Sequence, residues 1–280
     1  MQIYRPFTFS YYIQNEIIKK YNIFSILNKN DNAVSIGYSV SIMENFLKNN
    51  ISNSYAFIVK NNSLYKSTEI VEKNVKELKS ISSSGRFEYI DNKNIYELLN
   101  YPFPKCKFLT YSVINYDTDS EIGYVFGHLN VFNNYIGLLL SLKLLEKGGS
   151  FIHYIETIIY KEQADIYLIL KKYFKKVHIY VPEIYIKFKM GGVSLVCEEF
   201  IGISKSEYQD LESVISKMKK IYPNDILDFH IYDSDIRREL LISKPLNKNI
   251  VARPFITGFL DSKPSDDIYA EVRAFNDRLY

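Results

Sequence analysis

Tryptophan is absent from the 280 residues, and cysteine and histidine are scarce, with two and four copies. These shortages exclude several chemistries. Cys106 and Cys197 lie far apart, inside apolar runs and with no CxxC spacing. They read as buried thiols of a reducing compartment rather than as a disulfide framework. His128, His153, His178 and His230 have no Cys, Asp or Glu at ligand spacing, which argues against a zinc or other metal site. A P-loop, GxGxxG, GxSxG and HExxH are all missing, and with them the usual signatures of phosphate cradling, dinucleotide binding, serine hydrolysis and zinc proteolysis. Every apolar run is interrupted by Asn, Lys or Tyr before it reaches bilayer length, so no membrane partner is expected. Met1-Gln-Ile-Tyr-Arg5 does not lead into a signal-peptide pattern, and the expected address is cytoplasmic.

What is present is ordinary for a globular protein: 47% hydrophobic and 24% charged residues. The length suits one large domain, or one domain with an appendage. Net charge is +3, too small to announce a nucleic-acid binder, but it is uneven. Residues 222–280 hold 8 Lys+Arg against 10 Asp+Glu, while the first 221 hold 27 against 22. An anionic partner should therefore meet the first part. The 25 Tyr, with abundant Ile, Asn and Lys, look like an AT-rich coding bias, which describes a genome rather than a function.

Hydrophobic spacing predicts a helix over Tyr11–Leu27, with Ile13, Ile17, Tyr21, Phe24 and Leu27 on one side. A short strand, Ala33–Ile36, leads to Gly37, and Ser41–Glu44 has capping-box spacing for a helix through Leu47. Tyr55–Val59, Phe87–Ile90 and Lys107–Ile114 read as further strands, separated by helices over Ser67–Leu78 and near Ile95–Leu99. A long helix from about Leu129 to Glu146 should be capped by Gly148-Gly149 before a strand at Ser150–Ile155. Helix Gln163–Tyr173, strand Val177–Val181, strand Val193–Cys197 and helix Ser206–Ile221 complete the series. Strands alternating with helices imply βαβ units: a mostly parallel seven-stranded sheet, helices on both faces, and an antiparallel last strand. Residues 1–221 are expected to form this α/β domain, with 222–280 as a C-terminal extension.

Leu138-Leu-Leu-Leu-Ser-Leu-Lys-Leu-Leu-Glu-Lys-Gly-Gly-Ser-Phe-Ile152 resembles the helix, double-Gly turn and fifth strand of S-adenosylmethionine-dependent methyltransferases. Tyr173-Phe-Lys-Lys-Val177, Val181-Pro182 and Val193–Cys197 continue in the register of the FtsJ-like ribose 2′-O-methyltransferases, and Phe24–Gly37 is similar to the segment before that family's first glycine motif. The resemblance spans roughly Tyr11 to Gly202. It implies a Rossmann-like methyltransferase fold, S-adenosylmethionine as cofactor, and RNA as substrate.

The residues that carry the family's chemistry are largely replaced. The cofactor turn needs glycines, because backbone must come close to the ligand. Here it reads Ser35-Ile-Gly37-Tyr-Ser-Val40-Ser41-Ile42, and the side chains of Val40, Ser41 and Ile42 are expected in the cofactor's space. Lys60-Asn61-Asn62 stands where an acidic residue would hold the ribose, while Asp91 matches the acidic position facing the adenine. Gly37 and Asp91 are thus the surviving cofactor-binding candidates. Such an Asp is also what an ordinary loop provides. The family's Lys-Asp-Lys-Glu tetrad deprotonates a ribose hydroxyl with a lysine kept near neutrality by its neighbours. Its four positions fall at Glu16, Ser112, Tyr154 and Gly192. Lys19, Lys20, His153, Glu156, Asp117 and Asp119 lie nearby but also read as solvated loop and helix-end groups.

The resemblance and the replaced residues together lead to the expectation of a degenerate methyltransferase, a pseudoenzyme with no cofactor unless the pocket is intact. It would serve as an RNA-binding or stimulatory subunit beside a catalytic partner. The small subunit of the poxvirus mRNA-capping enzyme is a role analogue, and the AT-rich composition suits a large DNA virus. A divergent active RNA cap 2′-O-methyltransferase and a purely structural protein-binding subunit remain the alternatives. Two lysine clusters, Lys171/Lys172/Lys175/Lys176 and Lys217/Lys219/Lys220, could touch phosphate, and equally are what a helix C-terminus prefers.

Overall fold

The computed structural model describes residues 10–37, 40–60, 72–79, 85–91, 95–113, 123–155, 161–183 and 193–221. The strands are β1 (Ala33–Gly37), β2 (Ser54–Lys60), β3 (Gly85–Asp91), β4 (Cys106–Ser112), β5 (Leu145–Ile155), β6 (Phe174–Tyr180) and β7 (Val193–Phe200). They form one sheet in the order β3-β2-β1-β4-β5-β7-β6, with β7 antiparallel to both neighbours and the remaining pairs parallel. The helices are α1 (Ser10–Lys20), α2 (Val40–Lys48), α3 (72–79), α4 (Gly123–Leu144), α5 (Lys161–Tyr173) and α6 (Lys205–Ile221). This is the expected architecture: a Rossmann-like methyltransferase fold with the antiparallel strand inserted between β5 and β6.

Central strands are apolar on both sides because both faces of the sheet are covered. All five residues of β1 are buried. On one face Ile13, Ile17 and Ile18 of α1 and Ile42, Met43 and Phe46 of α2 pack on Ala33, Phe108, Ile152 and Val196. Phe24, Phe46 and Phe108 meet there with ring centroids 5.6–5.8 Å apart. Val75 and Leu78 of α3 join Val40 and Ile58 further along the same face. On the opposite face α4, α5 and α6 cover Val34, Leu109, Tyr111, Phe151 and Leu195.

Four local expectations are corrected, the first being the capping box at Ser41–Glu44, since α2 already begins at Val40 and Ser41 lies inside its first turn. The first helix stops at Lys20, because Asn22 adopts a left-handed conformation (φ 49°) and the chain restarts as a short 3-10 turn, Ile23–Ile26. The apolar spacing continues through that turn because it packs on the same core, so periodicity alone overran the break. The Ile95–Asn100 segment is likewise a 3-10 turn. Gly148 and Gly149 do not cap α4, which ends at Leu144. They lie inside β5, where the pairing jumps from Cys106↔Leu145 to Phe108↔Ser150 and the intervening residues bulge outward. Gly148 has φ +77°, and a Cβ at Gly149 would come within 2.8 Å of the Glu146 and Lys107 carbonyl oxygens. The first part of the expected Ser67–Leu78 helix, and all of 222–280, lie outside the described residues.

Candidate functional site

Open α/β sheets bind ligands at the carboxyl ends of their strands, and the strand register brings several of the sequence candidates together there. Gly37 pairs with Ser112, Tyr154 with Ser194, and Ser194 with Tyr180. Tyr111 lies opposite His153, so Ser112 and Tyr154 follow one residue further along neighbouring strands. Gly37, Ser112, Tyr154, Ser194 and Tyr180 thus form one row across five strands, on the face covered by α1 and α2. Glu16 of α1 joins the row, its Oε1 accepting hydrogen bonds from the Tyr180 hydroxyl and from the Glu183 backbone N–H, the latter at 2.9 Å. Burial, and then the Glu16 carboxylate, push the Tyr180 phenol well above its ordinary range, so it stays a donor. Three of the four tetrad positions therefore share one surface. They carry a carboxylate, an alcohol and a phenol, and no ammonium. Gly192, the fourth, lies outside the described residues, as do Asp117, Asp119 and Glu156.

Lys20, one turn after Glu16, places its Nζ 4.3 Å from the centre of the Tyr180 ring. That is two strands away from Tyr154 in the sheet order. Lys19 is the neighbouring exposed residue in the last turn of α1. His153, next to the central tetrad position, points to the other face of the sheet. It is fully buried, with Nε2 3.2 Å from the Asn134 carbonyl oxygen. Burial pushes its pKa down to about 4, so at neutral pH it is an uncharged core group.

The cofactor end differs from expectation in one respect. Val40 and Ile42 are buried in the apolar cores beneath α2, and Ser41 is buried with its carbonyl accepting from Asn45 Nδ2 at 3.0 Å. At Gly37 the close contact is with the backbone of β4. Gly37 has φ +111°, and a Cβ there would meet the Ser112 carbonyl carbon and oxygen at 2.5 Å and the Val113 nitrogen at 2.8 Å. The surviving glycine is thus required for β1 to close on the end of β4. β2 and β3 end side by side on Lys60 and Asp91, which are in register; Asn61 and Asn62 lie outside the described residues. The other segments at the carboxyl ends of β1, β2 and β4, residues 38–39, 61–71 and 114–122, lie outside the described residues.

Three lysines of the Lys171–Lys176 cluster are ion-paired on the protein. Lys172 pairs with Glu207 at 3.1 Å, and Lys175 and Lys176 pair with Glu199 at 2.8 and 3.3 Å. The side chains of Lys217, Lys219 and Lys220 lie outside the described residues. Ser194 and Tyr180 were not singled out from sequence. The available signal was the alternation of β6 and β7, which could be used only once the β5–β7–β6 order was known.

No family model matches the chain, and no curated protein matches it. Solved structures similar to it include a Plasmodium falciparum protein assigned as a ribosomal RNA methyltransferase, with 16% identity and a TM-score of 0.47 over 70% of this chain and 99% of that one. An rRNA methylase from Streptococcus thermophilus has 14% identity and a TM-score of 0.44, covering 71% and 99%. A Streptococcus mutans protein assigned as a methyltransferase, in complex with SAH, has 17% identity and a TM-score of 0.42, covering 70% and 99%. The fold assignment rests on the strand order and register described above.

Proposed function

We propose that the chain is a methyltransferase-fold protein without methyl-transfer chemistry. It acts as an RNA-binding or stimulatory subunit of an RNA-processing complex, such as an mRNA-capping assembly, whose catalytic subunit is another protein. The observation that carries this reading is the row Gly37–Ser112–Tyr154–Ser194–Tyr180 with Glu16 above it. Removing a proton from a ribose hydroxyl needs a base poised near neutrality at the reacting centre. The three described tetrad positions supply only a carboxylate hydrogen-bonded to Tyr180, an alcohol and a phenol. Lys20 is held over Tyr180 and does not replace the missing lysine at Tyr154.

The test incubates the full chain with labelled S-adenosylmethionine and a capped RNA, alone and with candidate capping enzymes. The expected result is RNA retention and stimulation of a partner, with no methyl incorporation by the chain alone. Incorporation by the isolated chain, abolished by Tyr154→Phe or Glu16→Gln, would instead establish a rearranged active enzyme. Failure to bind RNA with an intact effect on a partner would leave a purely protein-binding subunit.

A further inference from the structure

The fold assembles a second basic surface, at the opposite edge of the sheet from the tetrad row. Lys105 and Lys107 stand at the start of β4, and Lys143 and Lys147 at the junction of α4 and β5. The bulge in β5 pushes Lys147 and Gly148 out from the amino edge. Three of these four lysines donate to a backbone carbonyl: Lys105 to Lys143, Lys107 to Lys147 at 2.5 Å, and Lys143 to Leu99. Lys147 lies across the turn after β7, where a Cβ at Gly202 would come within 2.8 Å of its Cε. Exposed Lys29 extends the edge on the turn before β1. That turn is tied to β2 by Asn53 Nδ2 donating to the Lys29 carbonyl (3.2 Å), and to β4 by Asn32 Nδ2 donating to the Lys105 carbonyl (2.8 Å).

None of these five ammoniums pairs with a carboxylate among the described residues. Two carboxylates lie in the same stretches: Glu146, which is exposed, and Asp31, which already accepts from Asn28 N and Nδ2 at 2.8 and 3.1 Å. The contrast with Lys172, Lys175 and Lys176 is direct, because the first pairs with Glu207 and the other two share Glu199. An ammonium has three donors. At Lys105 and Lys107 one donor on a carbonyl holds the side chain in place and leaves two more for an anion, which reduces the ordering cost of binding it.

We propose that this amino-edge surface, formed by Lys29, Lys105, Lys107 and Lys147 with Lys143 behind them, binds the phosphate backbone of RNA. The inference rests on the RNA-binding part of the proposed function and locates it away from the tetrad row. Contacts by lysine ammoniums to phosphate carry no base specificity, so binding is salt-dependent and tolerant of sequence.

The test measures fluorescence anisotropy of a labelled 20-nucleotide oligouridylate with the full chain between 50 and 200 mM KCl. For single strands each phosphate contact contributes about 0.7 to the slope of log affinity against log salt. Lys105→Gln/Lys147→Gln should weaken binding severalfold at low salt and flatten the slope by about 1.4. Lys175→Gln/Lys176→Gln should bind as the parent chain does. The single variant Lys29→Gln, on an exposed turn, repeats the test with little demand on folding and should flatten the slope by about 0.7. Parent-like binding by the amino-edge variants, with melting curves unchanged, would overturn this location while leaving RNA binding intact. Absence of RNA binding by the folded parent chain overturns both. Competition by polyglutamate as strong as that by RNA would assign the surface to an acidic protein instead and overturn the RNA proposal.

Discussion

Gly137 sits in α4 beneath the rings of Tyr111 and His153. A Cβ there would lie 2.5 Å from Tyr111 Cδ1 and 2.8 Å from His153 Cε1. In an exposed helix, Gly→Ala stabilises by about 1 kcal/mol through helix propensity. At Gly137 the sign should reverse, because both rings are fully packed and an inserted methyl costs about 1–3 kcal/mol in a closed core. Denaturant unfolding of Gly137→Ala should show a lower midpoint; an unchanged or raised midpoint would mean that the rings move aside freely. His153 adds a pH dependence at the same joint. Its pKa is about 4 in the folded protein, against an ordinary value near 6.5 when unfolded. Between those values the unfolded chain binds more protons, so the contribution is complete above about pH 6.5 and is lost as pH falls toward 4. The melting temperature should decline from pH 7 to pH 5, and His153→Phe should flatten that decline. An identical slope in the variant would assign the acid sensitivity to other groups.

Element boundaries follow local chemistry wherever the signal is a side chain bonded to its own backbone. α6 begins with a complete capping box: the Glu207 N–H donates to Ser204 Oγ at 3.2 Å, and the Ser204 N–H donates to Glu207 Oε2 at 3.2 Å. Hydrogen bonds from Ser204, and then Lys172, hold the Glu207 carboxyl down at about 2. Ser204→Ala should cost about 1 kcal/mol, seen as a melting temperature lower by a few degrees. The effect should be present above about pH 4.3, the unfolded value, and fade as pH falls toward 2, since a depressed carboxylate stabilises only while ionised. A variant that melts with the parent at neutral pH would show that α6 is held by Leu211, Val214 and Ile215 alone. The helices and strands were legible because two-sided burial writes apolar runs for strands and 3.6-residue spacing for helices. Turns were less legible. The positive φ of Asn22 leaves no mark in an apolar pattern that simply continues, and Gly148-Gly149 reads the same as a helix cap or as a bulge.

At the scale of the molecule, the two edges of the sheet have different characters. The carboxyl edge carries the tetrad positions, and the register that aligns Gly37, Ser112 and Tyr154 was implicit in the family resemblance. Its neighbours Ser194 and Tyr180 became visible only through β7's antiparallel insertion. The amino edge was not legible at all, since lysines at 29, 105, 107, 143 and 147 are separated in the chain and brought together only by strand order. Of the clustered lysines that did stand out, Lys172, Lys175 and Lys176 are ion-paired by the fold. Val40–Ile42, expected in the cofactor's space, are instead buried beneath α2, and Gly37 closes on the Ser112 backbone, a contact between strands distant in sequence. Calorimetric titration of the full chain with S-adenosylhomocysteine therefore tests the account most directly. The proposed loss of methyl-transfer chemistry predicts no binding heat from a folded sample. A clear one-to-one isotherm would contradict the account: the pocket would then be intact, and the chain would belong among candidate active methyltransferases.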